Sequence, residues 1–320
     1  MIGDRAREFL ETLGRMILVL AGLSLVFFVL WAYYSSALII DGNRDPITVL
    51  PRTFGLEFTE EAFPSADGLT LKGWFVPAQG PRAGGKPGPV LPTDKTLIVC
   101  HGWGANRSDI LERTYFLNTE GGYNLFYFDF RNHGDSGSGK SSLTKLEIGD
   151  LEAALSHLRA AHPAEARRVA LYGMSLGAAV CLWVAAQHPD IRGVAAESPF
   201  GSYRDVVIRF GRMYYNMPRV PFALITLWAV RWRLGFDPQD YSPLSVVGQI
   251  APRPLFLLQG DKDARMPVME GERLFAAAGE PKTLWTVPGA NHGEVAEWGG
   301  RAYRQKLLDF YRGVFEGPTR

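Results

Sequence analysis

Cysteine is nearly absent: Cys100 and Cys181 are the only two in 320 residues. That is too few for a disulfide scaffold, and no Cys/His spacing suits a zinc or other metal site. Both fall in apolar stretches and read as buried fillers. No motif calls for a metal or an organic cofactor. An excess of one charge is also missing. With 34 Lys and Arg against 33 Asp and Glu the formal net charge is +1, which offers no electrostatic footprint for nucleic acid. No internal repeat is present, which excludes a solenoid or a propeller. Finally, residues 16–40 contain no charge at all. At about 1.5 Å rise per residue, a helix through that run crosses a hydrocarbon core of about 30 Å with some tilt.

What is present begins with Gly173-Met174-Ser175-Leu176-Gly177. The apolar run 168–172 precedes it and the small-residue stretch 178–186 follows it, so it reads as strand, sharp turn, helix. Such a turn lifts the Ser175 hydroxyl clear of a sheet while the new helix aims backbone N–H groups at the same place. A serine nucleophile needs a base, and the base needs a carboxylate to fix its tautomer. Downstream, the apolar run 254–259 ends at Gly260-Asp261-Lys262-Asp263, and the run 283–287 ends at Pro288-Gly289-Ala290-Asn291-His292-Gly293. Each candidate follows a strand, in the order Ser, Asp, His. Upstream, the strand 96–100 ends at His101-Gly102-Trp103-Gly104. A backbone N–H of that turn, from Trp103, and the N–H of Leu176 are candidate donors to an oxyanion.

With these pieces the chain resembles the α/β-hydrolase superfamily from about Glu57 to Phe315. Within it the chain is most similar to membrane-anchored, Bem46-like serine hydrolases. The resemblance also rests on Asp129-Phe130-Arg131-Asn132-His133-Gly134-Asp135-Ser136, on Glu197-Ser198-Pro199-Phe200 and on Pro267 after the Asp261-Lys262-Asp263 turn. It implies an α/β fold with a mostly parallel sheet, helices on both faces and a small lid insertion at about 200–250. It implies a Ser175, Asp263, His292 triad cleaving an acyl ester or thioester, lipids among them, with no cofactor. Asp263 fits the family pattern, although Met266 stands where valine is usual. Asp261 and Glu197 stay open as alternative acids. A same-fold acyltransferase or peptidase would keep the triad, and a non-catalytic binding protein would not need it.

The remaining expectations concern organisation. Residues 1–15 form a cytoplasmic segment, 16–40 a transmembrane anchor, 41–56 a polar connector and 57–320 the hydrolase domain. Trp31, Tyr33 and Tyr34 suit an interfacial belt. Ser35-Ser36-Ala37 would suit signal cleavage, but the run is longer than a signal core, so the anchor is expected to stay. Arg5, Arg7 and Arg15 before the span against Arg44 and Arg52 after it put the hydrolase domain on the non-cytoplasmic side. A chain starting near Asp41 is expected to be soluble and active. Strands at 57–59 and 69–75 are expected to form an opening hairpin, and 79–95 a flexible loop. His101, His133 and Asp135 read as structural, while His157, His162 and His188 read as solvated. In the lid, Phe210, Tyr214, Tyr215, Phe222, Trp228, Trp232 and Phe236 alternate with arginines. They either pack on the body or face a bilayer.

Overall fold

The computed structural model describes residues 2–42, 44–80 and 88–317. It opens on one continuous helix, Ile2–Ile40 (α1). An antiparallel hairpin follows, Thr59–Pro64 (β1) with Thr70–Val76 (β2). The chain then runs through Lys95–Cys100 (β3), Arg107–Thr114 (α2), the single turn Phe116–Thr119 (α3) and Asn124–Phe128 (β4). Next come Lys145–Ala161 (α4), Arg168–Met174 (β5), Leu176–Gln187 (α5) and Val194–Glu197 (β6). The lid region holds Tyr203–Tyr215 (α6) and Leu224–Leu234 (α7). Leu255–Gly260 (β7), Val268–Ala277 (α8), Lys282–Val287 (β8) and Val295–Glu316 (α9) complete the chain.

The sheet order is β1-β2-β4-β3-β5-β6-β7-β8, antiparallel from β1 to β4 and parallel from there on. Period-two alternation splits the core between the two faces. In β3, Ile98 and Cys100 join α4 and α5 on one side, whereas Leu97 and Val99 join α2 and α9 on the other. Both cysteines are buried and free. This is the doubly covered, mostly parallel sheet that strand–helix alternation predicts.

Several expectations need correction. The hairpin exists, but its strands start later than 57 and 69. Ser65 sets the turn, bonding Asp67 and accepting the Leu69 N–H at 2.9 Å, and Phe63 of β1 is buried. His157 and His162 are not solvated. Both reach Glu61 of the edge strand, at 2.9 and 3.2 Å, and stack on Phe63 and Phe75, so they fasten α4 under the hairpin. His188 is half-exposed beside Glu152. The segment 41–56 is more than a connector, since Ile47, Val49 and Leu50 pack on the core and Pro51–Phe54 forms a helical turn. Of the loop expected at 79–95, residues 81–87 lie outside the described residues, and Gln79 pairs with Val90 across it.

The largest departure is α1. Among the described residues it is the one helix long and apolar enough to cross a membrane, yet its last turns belong to the folded body. Ile40 is fully buried in the core, and its carbonyl accepts the Ser141 N–H at 2.7 Å. Phe222 of the lid packs on Phe27, Phe28 and Trp31. Thr226 of α7 donates to Ser35 at 2.8 Å and Arg233 donates to Ser36 at 3.0 Å. A chain starting at Asp41 therefore loses a packed element. Trp228 and Trp232 stack on one another at 64% and 73% exposure, so the lid aromatics divide between the body, α1 and the open surface.

Candidate active site

Chain direction across the sheet reverses between β3 and β5. From β3 the chain moves to β4 on one side, and from β5 to β6 on the other. The loops leaving their C-terminal ends diverge there and open a crevice. Ser175 stands at that point, between β5 and α5, with φ 53 and ψ −112. A non-glycine residue rarely adopts this conformation, and the surrounding contacts must hold it. The Ser175 N–H is tied to the Glu197 carbonyl at 2.8 Å.

The flanking glycines are required sterically. A Cβ on Gly173 would come closer than 3.0 Å to the Gly177 backbone, and one on Gly177 closer than 3.0 Å to the carbonyls of Cys100 and His101. Backbone cannot move aside as a side-chain tip can, so overpacking outweighs the helix propensity that favours alanine. Gly177→Ala is expected to cost about 3 kcal/mol. At Gly313 in α9 a Cβ meets nothing within 4 Å, and Gly313→Ala is expected to stabilise by about 0.5–1 kcal/mol. Thermal melts of the two variants compare them; equal shifts would contradict the steric account.

The expected partners converge on Ser175. His292 Nε2 lies 3.1 Å from Ser175 Oγ, and His292 Nδ1 lies 2.8 Å from Asp263 Oδ2. Asp263 is buried, and its other oxygen accepts the Met266 N–H at 2.7 Å. These partners select the tautomer in which Nδ1 donates to Asp263 and Nε2 accepts from Ser175. Asp261, two residues earlier, is turned away and accepts the Gly289 N–H at 2.6 Å. Glu197 is fully buried, with Tyr172 and Tyr303 donating to one oxygen at 2.6 and 3.1 Å. Burial and the Glu197 charge push both phenols well up, so they stay donors. The other oxygen faces Arg113 at 3.9 Å, and Arg113 donates to the carbonyl of Gly293. Glu197 thus braces the loop carrying His292 without reaching its ring nitrogens.

The turn after β3 is shaped by two neutral histidines. His101 is buried, with Nδ1 on the Gly102 carbonyl at 2.7 Å and Nε2 accepting the Phe130 N–H at 3.0 Å. His133 bonds the Arg131 carbonyl through Nδ1 and accepts the Gly104 N–H at 3.2 Å through Nε2. Trp103 lies between these fixed points, and Leu176 opens α5, where N–H groups lack intrahelical acceptors. Asp135 pairs with Arg107, which also pairs with buried Asp129. The structural reading of His101, His133 and Asp135 stands.

Burial holds His133 down at about 4 and pushes His101 well down too. Because the folded His133 value lies below the ordinary 6.5, the unfolded chain takes up the proton first as pH falls. The contribution of His133 is full above about pH 6.5 and is lost progressively toward about pH 4, at about 1.4 kcal/mol per unit or about 3 kcal/mol in all. His133→Gln keeps a carbonyl acceptor without the titration. Its stability is expected to fall less steeply across that window in melts at stepped pH. Identical slopes would remove His133 from the acid response.

Beside Ser175 lies a cavity of about 180 Å³. Trp103, Leu176 and Met266 line it from the body, Phe210 and Tyr214 from α6, and Trp31, Ser35, Leu38 and Ile39 from α1. The α1 lining was missed in the sequence reading. Its one trace there is the Ser35-Ser36 pair in an otherwise apolar run, polar groups that need partners if they leave lipid. A wider cleft of about 730 Å³ between α2, α3 and α9 includes Gly293 but not Ser175.

Residues 95–215 match the family model described as alpha/beta hydrolase fold. Rv2307c of Mycobacterium tuberculosis is 30% identical over 244 residues, covering 76% of this chain and 75% of that one. YfhR of Escherichia coli is 28% identical over 254 residues, covering 78% of each. Among solved structures, an esterase of Pyrococcus furiosus superposes with a TM-score of 0.67 at 23% identity, over 85% of this chain and 98% of that one, a likeness of fold alone. A switch-point crevice after β3 and β5, a matching family model and identity sustained along most of both chains together place this protein in the α/β-hydrolase superfamily.

Proposed function

We propose that the chain is a membrane-anchored serine hydrolase that cleaves carboxylic esters or thioesters. The observation that carries this reading is the unbroken run of hydrogen-bonding distances from Ser175 Oγ through His292 to buried Asp263 at the switch point. His292 takes the Ser175 proton as Oγ attacks the acyl carbon, and the N–H groups of Trp103 and Leu176 hold the oxyanion. His292 returns that proton to the departing alcohol or thiol, leaving an acyl-enzyme. Water, deprotonated by the same imidazole, then adds to the acyl carbon, and the imidazolium passes that proton to Ser175 Oγ as the acyl–oxygen bond breaks, releasing the acid and free Ser175. Asp263 keeps the ring oriented and offsets its transient charge. Esters and thioesters are preferred to amides because their leaving groups need less assistance.

In this reading α1 crosses the bilayer once, with residues 1–15 cytoplasmic and the body on the other side. Support comes from the charge-free run and from Arg5, Arg7 and Arg15 preceding it. The burial of Ser35 and Ser36 against α7 supports an uncleaved anchor. The test is turnover of a chain-length series of chromogenic esters and thioesters by the full-length protein in detergent, with and without a fluorophosphonate. Turnover blocked by the inhibitor is expected. No turnover of any member would overturn the ester and thioester reading, and absence of fluorophosphonate labelling as well would return the chain to the non-catalytic binding class.

A further inference from the structure

The cavity beside Ser175 has one wall that does not come from the hydrolase body. Trp31, Ser35, Leu38 and Ile39 all lie on α1. The polar tethers Thr226 to Ser35, Arg233 to Ser36 and Arg233 to Asp41 pin that wall in place. The lining is otherwise apolar and aromatic, and the volume, about 180 Å³, is below the ~300–1,000 Å³ of clefts that enclose drug-sized ligands. Its lining suits a hydrocarbon group of modest size.

Distance along α1 serves as a depth scale. Counting from Met16 at about 1.5 Å per residue, a hydrocarbon core of about 30 Å ends near Ser35. The tethers to Ser36 and Asp41 then sit at the polar boundary. Phe222, packed at the level of Phe27 to Trp31, sits about 6–12 Å inside the hydrocarbon. Val220, Leu224 and Trp228 beside it are exposed, as side chains facing lipid are expected to be. Three cavity-lining residues, Leu38, Tyr214 and Tyr215, are also exposed, so the cavity reaches the surface there. On this scale that surface lies at headgroup level.

We infer that the cavity takes the acyl chain of a bilayer amphiphile, received from the membrane at Leu38, Tyr214 and Tyr215, and that α1 is a wall of the acyl site as well as an anchor. The inference rests on the proposed reading that Ser175 is the nucleophile and that α1 spans the bilayer. A membrane ester with its carbonyl at the headgroup boundary needs little displacement to bring that carbon to Ser175 while its chain lies against Trp31 and Leu38. Hydrocarbon thereby passes from lipid to an apolar wall without crossing water, where every methylene exposed is unfavourable.

The test uses the full-length protein in phosphatidylcholine nanodiscs and a dodecyl fluorophosphonate carrying a terminal diazirine. After reaction at Ser175 and irradiation, cross-links are expected in the peptide 31–39. Cross-links confined to the lid or the body would overturn the inference, whereas failure to label Ser175 would instead overturn the hydrolase reading. Independently, Leu38→Trp is expected to lower the ratio of dodecanoyl to acetyl ester turnover about tenfold. Val29→Trp, on the same helix outside the cavity, is expected to leave that ratio unchanged. An unchanged ratio in Leu38→Trp, or an equal fall in both variants, would remove α1 from the acyl site.

Discussion

Ser175→Ala is expected to lower kcat by about 10⁶-fold and to abolish fluorophosphonate labelling of the protein. The size follows from the arrangement. Removing Oγ takes away the atom that forms the covalent bond and leaves His292 Nε2 facing nothing to deprotonate. The turn geometry, the Ser175 N–H bond to Glu197 and the two candidate oxyanion donors are main-chain features that alanine retains. Residual turnover should therefore come from binding and oxyanion stabilisation alone. Intact-mass measurement after probe treatment, beside ester turnover, decides the matter. A variant that still takes up the probe or retains more than about a thousandth of the activity would move the nucleophile elsewhere.

Asp263→Asn carries the second largest expected effect, about 10⁴-fold in kcat with the fold intact. The carboxylate accepts the His292 Nδ1 proton at 2.8 Å. An amide that turns its NH2 toward the ring favours the other tautomer, in which Nε2 carries a hydrogen and can no longer accept one from Ser175. Asp261→Asn is expected to cost less than about threefold, because Asp261 closes the turn at Gly289 and meets no candidate catalytic group; a threefold change is about 0.7 kcal/mol. Steady-state kinetics of both variants, with circular dichroism as a control on folding, give the ranking. If Asp261→Asn proved the more damaging, the carboxylate assignment would pass to Asp261.

Much of this site is readable from sequence because its parts are local. A strand, a strained turn and a helix sit within adjacent residues at Ser175, and the glycines there answer to backbone that the same segment and the end of β3 supply. The choice between Asp261 and Asp263 is less readable. Both lie in one polar turn, and what separates them is the distant backbone each meets, Gly289 for one and the His292 loop for the other. His157 and His162 were misread for a similar reason. Their partner Glu61 lies 96 and 101 residues away, so helix position alone made them look solvated. The role of α1 was hidden more deeply. A lipid-facing side chain and one facing an apolar cavity obey the same hydropathy, so Leu38 and Ile39 carry no mark that distinguishes them from Leu30 or Val29, and Trp31 reads as an interfacial residue. Only the paired serines, which meet Thr226 and Arg233 across more than half the chain, break the pattern.

On the reading proposed above, the seating of α1 against α7 would tie address to selectivity. Tethered enzymes are commonly pictured as a catalytic head on an exchangeable stem, so that any hydrophobic stretch of suitable length could replace the stem, or a protease could free the head as an active soluble form. Here a transplanted stem would have to reproduce Trp31, Ser35 and Leu38 on one stripe and present Phe27 and Phe28 to Phe222. A head severed after residue 40 would keep Ser175, Asp263 and His292 in a trough flooded from one side. If α1 is the acyl wall inferred above, drift along that stripe would alter substrate preference before it weakened membrane attachment, and the segment would evolve under the constraints of a pocket as well as those of a span.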